Sequence, residues 1–244
     1  MKPNYAPHSA ALYADTPTPM LPKTEMTLDL RRAALVVIDP QVDVMSPSGR
    51  AWGAVGESVT ENNLVPNLVA LFTAAKKAGI TVAVSPHYYY CWDHGWRWQA
   101  PLEKFQHDTG AFDRKGPYTV EGFRGSGADF MEEFKPFIED GKTIICSPHK
   151  LYGPQANDLK LQLGKQGIGQ VILAGMLANM CVESHMRDLL EAGFEVAVVR
   201  DAVAAPKLPD GDGYLAALIN FRFMANGIWT TDETVEKLLT DRQG

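Results

Sequence analysis

VILAGMLANMCVESHMRDLLEAGFEVAVVRDAVAA, residues 171–205, sets the fold class. The run VILAG is a short apolar strand, and FEVAVV is a second. Between them VESHMRDLLEAG reads as a helix closed by Gly193, a residue that tolerates the left-handed conformation at a helix end. Two buried-type strands joined by a helix make a βαβ unit, the building block of a parallel sheet. The same grammar, a polar stretch ending in glycine and then a β-branched run, recurs in AAKKAG-ITVAV, FIEDG-KTIIC and LGKQG-IGQVILAG.

With ALVVID (34–39) first and GIWTT (227–231) last, six strands are expected with helices between them. This predicts a Rossmann-like, doubly wound α/β fold: a six-stranded, mostly parallel sheet with helices on both faces. Residues 1–30 carry prolines at 3, 7, 17, 19 and 22 and read as an extended arm lying on the body or on a neighbouring subunit, and 31–244 as a single domain. A helix is expected over GADFMEEFKPF (127–137). About forty residues separate the second strand from it, and they hold Tyr88, Tyr89, Tyr90, Trp92, Trp96 and Trp98. A stretch that long inside a compact domain is usually functional. It can be a satellite core at the sheet end or a lid over a site.

Bulk properties exclude several classes. The 244 residues carry a net charge of -6, so no broad basic surface exists for nucleic acid. Three widely spaced cysteines, Cys91, Cys146 and Cys181, make neither a disulfide framework nor a zinc finger. No apolar run is long enough to span a membrane, and the N-terminal segment lacks the apolar core of a signal peptide, so a cytoplasmic location is the expectation.

Ligands of open parallel sheets bind at the carboxyl ends of the strands. The first strand ends in Asp39, the third in Ser147-Pro148-His149-Lys150, and the fourth in the turn leading to Cys181. An acid, a lysine and a cysteine thus meet at one rim. Taken singly, each has a plain structural alternative: Asp39 as a turn former, Lys150 as a solvated surface residue, a cysteine as core filler. Together they suit nucleophilic catalysis. Asp39 would accept the thiol proton, and the amides around 177–181 would hold an oxyanion. A helix N-terminus and a lysine ammonium favour a thiolate, so Cys181 is expected to be the most reactive of the three thiols. Cys146, inside TIIC, is expected to be inert.

ALVVIDPQVDV (34–44) resembles the first motif of the isochorismatase-like cysteine hydrolase superfamily, a strand, an aspartate, one residue, then glutamine. The stretch 171–205 resembles its more specific motif in Gly175, Asn179, Cys181, Val182, Arg187, Asp201 and Ala202. The resemblance implies an amidohydrolase with a Cys181-Asp39-Lys150 triad, in which Lys150 orients the aspartate. It implies a thioacyl intermediate, an oxyanion hole at the amides of Leu177 and Cys181, a cis peptide at Met176-Leu177, and a homodimer or homotetramer. The expected substrate is a small amide-type molecule cleaved at a C–N bond. Gln41, Val44, His87, Trp92, Arg97 and Tyr152 are expected to line its site, with Arg97 or Arg124 receiving a carboxylate. The alternatives are an isochorismatase-type vinyl-ether or ester hydrolase and a non-catalytic small-ligand module. No GxGxxG or GxxxxGK accompanies a strand. No cofactor or metal is expected: no histidine follows Asp39 closely, and His87 with Asp93-His94 matches no zinc spacing.

Overall fold

The computed structural model describes residues 13–15, 17–22 and 24–240. Six strands form one parallel sheet: β1 (Ala33–Ile38), β2 (Thr81–Ser85), β3 (Ile144–Ile145), β4 (Gln170–Met176), β5 (Glu195–Ala204) and β6 (Gly227–Trp229). Their spatial order is β6-β5-β4-β1-β2-β3, so the winding direction reverses between β1 and β4. Every residue of β1 and β4 is buried, which explains their unbroken apolar sequence.

The helices α1 (Trp52–Glu61), α2 (Leu64–Ala78), α3 (Pro101–Thr109), α4 (Leu159–Lys165), α5 (Glu183–Glu191), α6 (Gly213–Met224) and α7 (Thr231–Thr240) complete the layers. One core cluster contains Leu68, Leu71 and Phe72 of α2 beneath Leu35, Val37 and Val199. The opposite one sets Met186 and Leu189 of α5 and Leu218 and Phe221 of α6 against Val36, Leu173 and Val198. Alternate residues of each strand therefore feed opposite layers.

The expected helix over 127–137 is reduced to one turn, Lys135–Ile138. The preceding backbone is taken by the turn after β1: Val42 donates to the Asp129 carbonyl at 3.0 Å, Asp43 to that of Gly127 at 2.8 Å, and Met131 to that of Pro40 at 3.1 Å. Those bonds compete with the helical ladder and win. The third strand is also shorter than expected, being an edge with Ile145 half exposed.

The aromatic stretch after β2 has structure of its own. Tyr89–Tyr90 pairs in parallel with Asp113–Arg114, and α3 lies between. Tyr88, Tyr89 and Tyr90 are buried, whereas Trp92 and Trp98 face solvent. Of the proline-rich arm, residues 1–12, 16 and 23 lie outside the described residues. Of the remainder, residues 17–22 are exposed, while Met26 and Leu28 are buried and Gln170 Nε2 donates to the Thr27 carbonyl at 2.8 Å.

Candidate active site

The switch point between β1 and β4 collects three reactive side chains. β1 runs out into Asp39, whose φ of +47° turns the chain sharply while its amide still bonds the Ser85 carbonyl at 3.0 Å. A non-glycine residue in this region is uncommon, and such conformations concentrate at functional sites. β4 contains Gly175 at φ +113°, where a β-carbon would stand 2.1 Å from the Ile38 carbonyl oxygen. Only glycine lets the two strands approach so closely here. The Met176–Leu177 peptide is cis, as the resemblance implied. A π-type turn, Ala178–Val182, then carries Cys181 to the start of α5.

Cys181 Sγ, an Asp39 carboxylate oxygen and a His149 ring nitrogen all lie within 4.8 Å of one another, and all three residues are buried. His149 Nε2 is 2.8 Å from Asp39 Oδ1, and its Nδ1 is 3.0 Å from the Lys150 carbonyl oxygen. A carbonyl only accepts, so Nδ1 carries a proton. The Nε2 contact to a carboxyl group needs another. The pair is therefore carboxylate–imidazolium or carboxylic acid–imidazole, with no net charge either way. Asp39 holds the His149 ring's pKa up against the downward pull of burial.

Lys150 does not reach this group, which corrects the expected triad. Its Nζ donates to the Tyr88 carbonyl at 2.8 Å and to Asp93 Oδ2, and it faces the rings of Tyr90 at 5.0 Å, Tyr89 at 5.5 Å and Trp96 at 5.7 Å. The extended run after β3 explains the exchange. His149 donates its amide to the Pro86 carbonyl at 3.0 Å, continuing the sheet edge. Successive side chains there alternate in direction, so His149 turns inward and Lys150 outward. Part of the aromatic stretch thus packs as a cage around the lysine.

The resting thiol also departs from expectation. Burial first, then the charge of Asp39 and hydrogen bonding to it, push Cys181 well above the ordinary thiol range; the amides of Leu177 and Cys181 pull the other way. The sulfur is a neutral thiol with two acceptors in reach, Asp39 and the Leu151 carbonyl at 3.6 Å. Lys150–Gly153 forms a small bridge above it, tied to α5 by Ser184 Oγ donating to the Tyr152 carbonyl at 3.3 Å. Cys146 behaves as expected, its thiol pushed up to about 12 by burial.

The other expected site residues separate. Gln41 is fully buried and clamps backbone: Nε2 donates to the carbonyls of His87 and Ala128, and Oε1 accepts from the His87 amide at 2.8 Å. Val44 is part of the core. His87 stacks on His149 with ring centroids 5.3 Å apart and donates through Nδ1 to the His149 carbonyl at 2.9 Å. Trp92, Arg97, Arg124 and Tyr152 are exposed, and Arg97 stacks on Trp98.

Two functional candidates escaped the sequence reading. His149 was masked by its lysine neighbour. His185 sits four residues after Cys181, a spacing that faces one helical turn, and its Nδ1 donates to the Cys181 carbonyl at 2.7 Å. Its Nε2 accepts from Ser85 Oγ at 2.9 Å, and Ser85 in turn accepts from Asn157 at 2.9 Å.

The family model of the Isochorismatase domain matches residues 33–233, from the start of β1 into α7. The chain belongs to the isochorismatase family. YddQ of Bacillus subtilis (strain 168), an uncharacterized isochorismatase family protein, is 28% identical over 116 residues, 46% of this chain and 63% of that protein. The match thus spans less than two thirds of that relative. Among solved structures, a cysteine hydrolase from Pseudomonas syringae pv. phaseolicola 1448A superposes with a TM-score of 0.74 at 18% identity, covering 91% of this chain and 99% of the other. N-carbamoylsarcosine amidase from Thermoplasma acidophilum gives 0.57 at 19%, covering 83% and 98%. At these identities the likeness is one of fold. Within this isochorismatase domain no described helix is long and apolar enough to cross a membrane.

Proposed function

We propose that this isochorismatase-family chain is a cysteine hydrolase that cleaves a C–N bond of a small amide-type substrate. The observation that carries the reading is the buried convergence of Cys181, Asp39 and His149 within 4.8 Å at the switch point of the sheet. As Sγ attacks the carbonyl carbon, its proton passes to Asp39, and the carbonyl oxygen gains charge beside the amides of Leu177 and Cys181. Asp39 then protonates the leaving nitrogen, ammonia or an amine departs, and water hydrolyses the thioacyl-enzyme with Asp39 again as base. His149 supplies the positive partner that holds the carboxylate in place. A neutral thiol that loses its proton only during attack suits this closed site. Transfer within a hydrogen-bonded pair avoids an isolated buried thiolate.

The site opens when the 150–153 bridge moves off the sulfur, since Cys181 is only 3% exposed. The active form is a homo-oligomer in this reading, with the N-terminal arm contributing to assembly.

The test is a panel of small amides, ureides and N-carbamoyl compounds assayed for ammonia release, alongside esters as a control class. Turnover of an amide, abolished in Cys181→Ala while circular dichroism stays unchanged, is the expected result. Release of substrate carbon without a mass-detectable acyl adduct on Cys181 under acid quench, with Cys181→Ala still active, would overturn the covalent route.

A further inference from the structure

We propose that Asp39, His149 and Cys181 form a binding site for one soft divalent cation of the zinc class, and that its occupation silences the nucleophile. The silencing, though not the binding, rests on the hydrolase reading above.

Thiolate, imidazole and carboxylate are the three protein donors that zinc takes, and a set of three leaves a fourth position for water. Among the described residues these side chains are the one set of three His, Cys or acidic groups whose donor atoms close to within 4.8 Å. Tetrahedral zinc with bonds of roughly 2.0–2.3 Å sets its donors ~3.3–3.6 Å apart. The His149–Asp39 contact of 2.8 Å would open by a fraction of an ångström, and the other separations would close to match.

The surroundings fit a ligand histidine. His149 Nδ1 already donates to the Lys150 carbonyl at 3.0 Å, which fixes the ring with Nε2 as the free donor. Metal-bound histidines are held this way, through the other ring nitrogen to a carbonyl or carboxylate. Around Cys181, the amides of Leu177 and Cys181 act against the burial and the Asp39 charge that hold the sulfur as a thiol.

Proton balance gives the site a signature. Binding removes the thiol proton and the single proton shared by Asp39 and His149, so two protons leave for each cation that enters. The product pairs a dication with one thiolate and one carboxylate, and the buried cluster is neutral. In that state the sulfur lone pair is committed to the metal and Asp39 cannot accept a proton, so neither attack nor proton transfer proceeds.

The test uses the full chain stripped with chelator, titrated with zinc chloride against a chromophoric competitor. One equivalent should bind, with affinity at least tenfold weaker in Cys181→Ser and in His149→Ala, and unchanged in Cys91→Ser and Cys146→Ser. Calorimetry at pH 7 in buffers of different ionisation enthalpy should return about two protons released per zinc. Cobalt should produce a thiolate-to-metal absorption that Cys181→Ser lacks. Zinc should protect Cys181 from iodoacetamide, and EDTA should restore labelling. Binding that survives both Cys181→Ser and His149→Ala, binding lost in Cys91→Ser, or no binding at micromolar free zinc would overturn the site. Hydrolysis is scored separately in EDTA. Turnover there without zinc binding rejects this site and leaves the hydrolase reading standing; zinc bound at the triplet with no amide cleaved in EDTA does the reverse.

Discussion

His149 Nε2 lies 2.8 Å from Asp39 Oδ1 with both side chains sealed from solvent, while Lys150, one residue further, points away to Asp93. Where the family motif would place an ammonium beside the aspartate, an imidazole stands here. An ammonium keeps its charge throughout the neutral range. A histidine's charge is set by its surroundings, and the Asp39 carboxylate beside His149 favours the charged ring against the pull of burial.

Exchanging the roles of these neighbours is the first test. His149→Ala is expected to lower kcat about a hundredfold or more, because Asp39 loses the ring that bonds and orients its carboxyl group. Lys150→Met is expected to leave kcat within a few-fold but to cost roughly 2–4 kcal/mol of stability, since it strands the buried Asp93 without its cation. Ammonia release and urea denaturation separate the two. A Lys150→Met enzyme that folds normally and is inactive would return the lysine to the chemistry.

Acid stability should be set by two other histidines. Burial lowers His87 from 6.5 to about 4 and His185 to about 3. Above pH 6.5 neither state protonates them, and their contribution is complete. As pH falls from there, the unfolded chain takes up protons that the fold refuses, and stability drops by about 1.4 kcal/mol per pH unit for each histidine until the folded value is passed. His149 acts in the opposite sense. Its raised value contributes stability below pH 6.5 that is lost as pH rises through the folded value. His87→Asn keeps a donor for the His149 carbonyl and should flatten part of the acid slope in urea titrations run between pH 4 and 7. An unchanged slope would mean His87 is protonated in the fold.

Access to the thiol should depend on the 150–153 bridge. Ser184→Ala removes the hydroxyl bond to the Tyr152 carbonyl, and iodoacetamide labelling of Cys181 should then accelerate several-fold relative to the parent. In the parent, exposed Cys91 should label ahead of buried Cys181, a reversal of the order that the sequence alone suggests. Peptide mass mapping over time reads both. Equal rates for Cys181 in the two proteins would show that another contact closes the site.

Gly175→Ala should be among the most damaging single changes. The added methyl meets the Ile38 carbonyl oxygen at 2.1 Å in a conformation at φ +113° that alanine resists. A loss of more than about 3 kcal/mol is expected in the urea midpoint, or failure to fold. A wild-type midpoint would show that β1 and β4 can separate without cost.

Light scattering is expected to show the full chain as the proposed oligomer and a chain lacking residues 1–25 as a smaller species, with far-ultraviolet circular dichroism nearly intact because Met26 and Leu28, the buried residues at the arm's end, are retained. A truncated chain that assembles as the full one does would remove the arm from the interface.

The sequence by itself determined the sheet and the rim at which chemistry gathers. Apolar runs such as VVI and VILA need two covering layers, glycines close the helices before them, and a parallel sheet delivers ligands to its carboxyl ends. Asp39 and Cys181 were legible because Asp39 follows its strand directly and Cys181 follows its own after a single turn. The third partner was not. In Pro148-His149-Lys150 either side chain has suitable chemistry, and which one faces Asp39 depends on the pairing of this run with Pro86 across the sheet edge. A shift of one residue in that pairing would exchange them. Tertiary structure alone also decided the state of the thiol. Helix position and a nearby cation argued for a thiolate, but burial beneath the Leu151 carbonyl and beside the Asp39 carboxylate outweighs both, and no local pattern records how deeply a residue is covered.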